Sequence, residues 1–130
     1  MNIASTIASF ALTTSNNTVH QTAAYNEVIT HTVPHQINDY QLLTITSPMT
    51  FSGTLSCTPI LNISSISCVT VNALQLKITY LAVPLSSIQI SILNIVNYDI
   101  ADISVDFTLQ IYDGSNYLME VYNNYGIAYT

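Results

Sequence analysis

A single all-β domain, built as an antiparallel sandwich, is the fold class that three observations predict. Apolar residues alternate with polar ones at a period of two, turn residues fall between the apolar runs, and no long segment carries the 3.6-residue period of a helix. The clearest strand is Ile103-Ser104-Val105-Asp106-Phe107-Thr108-Leu109-Gln110-Ile111, apolar at every odd position and polar at every even one. Such a segment has one dry face and one wet face.

The same pattern returns in Leu74, Leu76, Ile78 and Tyr80 around Gln75, Lys77 and Thr79, and in Ile88, Ile90 and Ile92 around Gln89 and Ser91. Met49, Phe51, Gly53 and Leu55 form a fourth case, with Gly53 as a candidate bulge. Pro34, Asn38-Asp39, Ser47-Pro48, Pro84, Asn97-Tyr98-Asp99 and Asp113-Gly114-Ser115-Asn116 fall between the runs. Asp113-Gly114 between two alternating runs predicts a hairpin. Strands are expected near 27–33, 40–46, 49–56, 59–62, 65–71, 73–83, 87–96, 102–112 and 117–122, with 126–130 as a tail. Merging two short neighbours leaves eight. Eight strands without a long helix point to a β-sandwich, and within that class to a single eight-stranded jelly roll.

Residues 1–26 read as an N-terminal arm, extended or short-helical, and residues 27–130 as the domain proper with its C-terminal tail. Ile3, Ile7, Phe10 and Ala11 share a face at helical spacing. The arm either packs on its own domain or reaches a neighbouring subunit. It has no basic leader region and Ser and Thr interrupt it, which reads against a cleaved secretion signal. No run approaches the length of a membrane helix.

Composition narrows the function more than any motif does. The 130 residues carry one Lys, no Arg and seven Asp or Glu, for a formal charge of −6. Charged residues make up 6% where an ordinary soluble domain has roughly 25%. Nucleic-acid backbones are held mainly through Lys and Arg, so direct nucleic-acid binding is not expected. In place of charge stand 14 Ser, 16 Thr, 12 Asn and 6 Gln. Few titratable groups also mean few pH-linked stability terms, so melting at low pH is expected to match melting at neutral pH. Scarce charge and long Ile/Val/Thr-rich strands leave sheet edges poorly defended, and such edges call for covering by other copies.

The chemistry-bearing residues are sparse. Cys57 and Cys68 lie symmetrically about Asn62-Ile63, so a two-residue turn there would set them opposite each other at a spacing that suits a disulfide. Two buried thiols are the alternative. His20, His31 and His35 have no accompanying ligand pattern, and two cysteines make no zinc site. Asp99, Asp102 and Asp106 read as a solvated face, since calcium-loop spacing is missing. With three Gly and no G-x-S-x-G there is neither a phosphate-cradling loop nor a nucleophile elbow. No catalytic residue, metal, cofactor or small-molecule substrate is expected. Asn16-Asn17-Thr18 and Asn62-Ile63-Ser64 match the N-glycosylation pattern, which makes Asn16 and Asn62 candidate acceptors. Five of the nine Tyr (Tyr112, Tyr117, Tyr122, Tyr125 and Tyr129) fall in the last nineteen residues. Tyr suits interfaces as well as strands, so Ile3, Ile7, Phe10, Tyr122, Tyr125 and Tyr129 are candidate assembly contacts.

In outline, a polar Ser/Thr/Asn arm from Thr13 to Thr22, followed by about eight alternating strands from Glu27 to Tyr122, resembles the single-jelly-roll coat proteins of icosahedral viruses. The charge-poor, Ser/Thr/Asn/Tyr-rich composition is similar to virion and surface proteins from hot acidic habitats, which implies an archaeal virus. The resemblance implies a non-enzymatic shell subunit, located in the virion and partnered by copies of itself and other coat proteins. Many such proteins carry a basic arm, and this arm has none. The competing expectation is a cell-surface or extracellular filament subunit in which residues 1–26 add a strand to the next copy's sheet.

Overall fold

The computed structural model describes residues 5–46, 49–84 and 86–130, and of Asn124 the backbone. Ile3 and the Ser47-Pro48 turn signal lie outside the described residues. Ten strands follow in chain order: β1 (Ser5–Thr6), β2 (Ser9–Thr14), β3 (Thr22–Thr30), β4 (Tyr40–Ile45), β5 (Ser56–Leu61), β6 (Ile63–Asn72), β7 (Gln75–Ala82), β8 (Ser87–Val96), β9 (Ser104–Tyr112) and β10 (Leu118–Ala128). Among the described residues there is no helix.

The strands form two sheets, one ordered β1-β10-β9-β4-β7-β6 and the other β2-β3-β8-β5. All pairs are antiparallel except β1 with β10. The all-β sandwich expected from the sequence is therefore present, whereas eight strands in jelly-roll order are not confirmed by this pairing. The neighbour relations β2-β3-β8 and β4-β9-β10 match the A-B-E and C-F-G strands of immunoglobulin-type sandwiches, a likeness of strand order only.

Period-two burial builds the core. Val105, Phe107, Leu109 and Ile111 of β9 are fully buried between the sheets, facing Ile88, Ile90 and Ile92 of β8 and Tyr25 and Ile29 of β3. Each such side chain contributes about 1.5–3 kcal/mol on leaving water. That burial, with the backbone ladders, carries the fold in place of ion pairs.

Three expectations change. The segment around Met49, Phe51 and Leu55 buries its apolar residues but is no strand; Gly53 (φ 75°) lies in a loop, anchored where the Phe51 N–H donates to the Ala73 carbonyl at 2.7 Å. Alternation here reflects a loop draped over the core. The short 117–122 strand and the tail are one strand, β10. Residues 5–26 are built into the sheets as β1, β2 and the first half of β3, so the described arm is extended rather than helical.

The abundant Asn has a backbone use. Asn38, Asn62, Asn94 and Asn116 all take positive φ, a conformation that usually falls to glycine, which this chain nearly lacks. Asn94 bulges β8, so inward parity passes from Ile92 to Ile95. At the predicted hairpin, Asp113 Oδ1 accepts from the Ser115 and Tyr117 amides at 2.8 and 3.0 Å.

Candidate functional site

The alternation that buries Tyr25 and Ile29 on β3 also buries Glu27, and His31 follows at the same parity just past the strand. On β4 the parity of Leu43 and Ile45 buries Gln41. From the six-stranded sheet, Tyr80 on β7 and Glu120 on β10 turn inward to meet them. The result is a buried polar cluster joining the two sheets.

His31 is its centre. Its Nδ1–H donates to Glu120 Oε1 at 2.9 Å, and in the neutral imidazole Nε2 accepts from the Tyr80 hydroxyl at 2.9 Å. Glu120 Oε2 accepts from the Thr32 amide at 2.7 Å and the Thr32 hydroxyl at 3.0 Å. His35 stacks flat on Tyr80, ring centroids 4.1 Å apart, and its Nε2–H donates to the Asp39 carbonyl at 3.2 Å. The Gln41 amide donates to Glu27 Oε1 at 2.6 Å. Glu27 Oε2, Gln41 Oε1 and His35 Nδ1 have no hydrogen-bond partner among the described residues.

Burial sets the protonation states. Desolvation raises Glu27 to about 7, against the weaker lowering effect of Gln41. Desolvation, helped by the nearby His31, lowers His35 to about 4. For Glu120, burial pushes upward, yet hydrogen bonds from His31 and Thr32 together outweigh it and hold the carboxyl below its ordinary value. Burial also raises the Tyr80 hydroxyl well above the usual tyrosine range, reinforced by Glu27, Glu120 and Asp39.

The order Glu120–His31–Tyr80 has the parts of a proton relay, but a relay needs a substrate within hydrogen-bond reach. The neighbouring groove of about 330 Å³, lined by Ile37, Ile66 and Leu81 among others, meets the cluster only through the buried Tyr80. The arrangement suits cross-linking the sheets. Among the described residues no group of three His, Cys, Asp or Glu is placed to hold a metal ion.

Sequence reasoning missed this cluster, treating His31 and His35 as lacking a carboxylate partner. Glu120 supplies one to His31 from 89 positions away. The readable signal was parity: Glu27, His31 and Gln41 each sit where the alternation calls for an apolar residue.

Cys57 and Cys68 are joined as a disulfide with Cα atoms 6.0 Å apart. They are not opposite each other in one ladder. β5 pairs with β8 and β6 with β7, so the bridge ties the edge of one sheet to the edge of the other. The chain passes between sheets at Asn62, whose Nδ2 donates to the Ser87 carbonyl at 2.8 Å. A Cys57→Ser/Cys68→Ser double variant is expected to lose about 3 kcal/mol in denaturant unfolding, the loop-closure value for a separation of 11 residues. A loss under ~0.5 kcal/mol would show that the strands hold the corner unaided.

Other candidates fall as follows. Ile7 and Phe10 lie in the chain's own core, as does Tyr129, whose hydroxyl is 2.6 Å from that of Tyr25. Tyr122 and Tyr125 are partly buried and pack edge-on against Phe10. All five positions thus take part in the chain's own packing, where β2 and β10 close one side of the sandwich. Asn16 and Asn62 are exposed. Asp99 and Asp102 are exposed and Asp106 half-buried, as a solvated face requires.

Exposed aliphatic side chains gather instead on the opposite side: Ile60 and Leu61 on β5, Val69 and Val71 on β6, and Val83 just beyond β7. Neither β5 nor β6 has a charged residue. No helix in the described residues is long and apolar enough to cross a membrane. No protein-family model matches the chain, and no curated protein matches it either.

Proposed function

We propose that the protein is a non-enzymatic structural subunit that assembles with copies of itself into a coat, the capsid shell of an archaeal virion. One observation carries the assembly reading: the open β5–β6 side presents several exposed aliphatic side chains and no charge. Exposed aliphatic side chains along uncharged edge strands suit contact with other protein. The virion assignment rests on the likeness of the polar Ser/Thr/Asn segment, the alternating pattern and the composition to single-jelly-roll coat proteins. Partners are then further copies and other coat proteins, while a chain with one Lys leaves the genome to those others.

Low-dose imaging of the purified, concentrated protein tests the geometry of assembly. Closed shells are expected. Filaments would replace the virion reading with the extracellular-filament one, whose strand donor must then lie outside Ile7–Thr14, since these residues already pack in the chain's own sandwich.

A further inference from the structure

The six-stranded sheet ends on β6, which among the described residues pairs with β7 only. An edge strand presents a row of unpaired N–H and C=O groups, and proteins blunt such edges with short strands, proline, charge or bulges. The other borders of this sandwich are blunted in these ways or are shorter. β1 has two residues, and β10 beside it is bulged between Tyr122 and Tyr125. β5 contains Pro59, which has no N–H to offer, and slips register between Pro59 and Leu61. β2 has six residues, with Phe10 against Tyr122 and Tyr125.

Over most of its length β6 lacks these protections. It runs ten residues without proline or charge. Its register shifts against β7 fall near its ends, between Ile63 and Ser65 and between Thr70 and Asn72, leaving Ser65–Thr70 unbroken. Val69 and Val71 are 59% and 53% exposed. The disulfide from Cys68 to β5 holds the strand in place, so little ordering entropy remains to be lost on pairing.

Charge placement identifies the occupant. A formal charge of −6 drives copies apart, yet none of the seven acidic residues lies on β5, β6 or β7. The one charged neighbour is Lys77, opposite Val69 on β7, with its ammonium 4.3 Å from the centre of the Tyr40 ring and so turned towards β4. If two β6 strands paired about a two-fold axis, the β7 strands would stand three strand spacings apart, roughly 14 Å. That exceeds the screening length of about 8 Å at physiological salt. Two like-charged copies can therefore approach along this side without opposing acids.

We propose that β6 is a homotypic docking strand: two copies pair β6 to β6, antiparallel about a two-fold axis, and fuse their six-stranded sheets into one continuous sheet. This names the contact for the assembly reading above and rests on it. An isologous contact sets the strand against itself, residue i meeting j and j meeting i, so a strand without charge meets no like charge across it.

The test uses the full chain and a Val69→Lys/Val71→Lys double variant, with Ile103→Lys, an exposed position off this side, as control. Sedimentation should show the double variant's dimer dissociation constant raised at least 100-fold, with the control unchanged and both variants' melting temperatures near the parent's. Amide exchange in the parent should slow along β6 as concentration rises. Assembly unchanged in the double variant, or a growing mass with β6 exchange independent of concentration, would overturn the docking strand while leaving assembly intact. A parent that stays single at every concentration would overturn both.

Discussion

Glu120→Ala should destabilise the protein by about 3–5 kcal/mol, combining a buried imidazole N–H left without its acceptor (about 1–3 kcal/mol) with lost hydrogen bonds from Thr32 to a carboxylate (about 1.5–3 kcal/mol). The substitution leaves the Nδ1–H of His31 buried without its acceptor and removes the carboxylate from the part-buried amide of Thr32. Both would face a cavity in the seam between the sheets. At this chain length the loss corresponds to a melting temperature lower by roughly 10–20 °C. Glu120→Gln retains an acceptor oxygen and is expected to lose less. An alanine variant within ~1 kcal/mol of the parent in denaturant unfolding would show that the cluster is incidental to the fold.

The second large effect is hidden in the parent and appears when one group is removed. Glu27 binds its proton more tightly folded, at about 7, than its ordinary 4.5, so its contribution is full at low pH and falls as pH rises between those values. His35 is the mirror case. Its value drops from 6.5 to about 4, so its contribution is full at high pH and falls as pH drops through that window. From about pH 4.5 to 6.5 the two slopes, each ~1.4 kcal/mol per pH unit, oppose each other and the parent's stability should be flat. Glu27→Gln is expected to gain ~3 kcal/mol as pH rises across that range, and His35→Phe to lose about as much. Denaturant unfolding at several pH values reads this directly, and parallel profiles in parent and both variants would refute it. Acid tolerance expected from sparse charge thus gains a floor. Below about pH 4.5 the Glu27 gain is complete, while the His35 loss runs on to about pH 4 and Glu120, held below its ordinary value, loses its contribution as it protonates.

The sandwich was legible because period two is a direct image of strand geometry. β8 lies at 87–96 as read, and β9 differs only at its start, where Ile103 stays exposed ahead of the strand. Strand neighbours were not legible, since pairing between distant segments leaves no local mark. Thus symmetry about Asn62-Ile63 suggested one ladder for Cys57 and Cys68, whereas the chain changes sheets at Asn62. The arm misled for a related reason: Ile7 and Phe10 share a face at helical spacing, but Ile7 is buried between β1 and β2 and Phe10 within β2.

Exposure was the least legible property. Tyr129 looked like contact surface and is fully buried, while Val69 and Val71, within the strand expected near 65–71, stand open. Burial of a strand depends on which neighbours reach it. Val69 and Val71 have the parity opposite to Ile66 and Cys68, which pack against the core, and so stand on the outer face of the sheet.

Sedimentation equilibrium of the intact chain, from micromolar to millimolar, bears most directly on self-assembly. A mass climbing with concentration to multiples of 14.2 kDa is expected. A constant single-copy mass throughout, with the protein fully dispersed, would contradict the proposal.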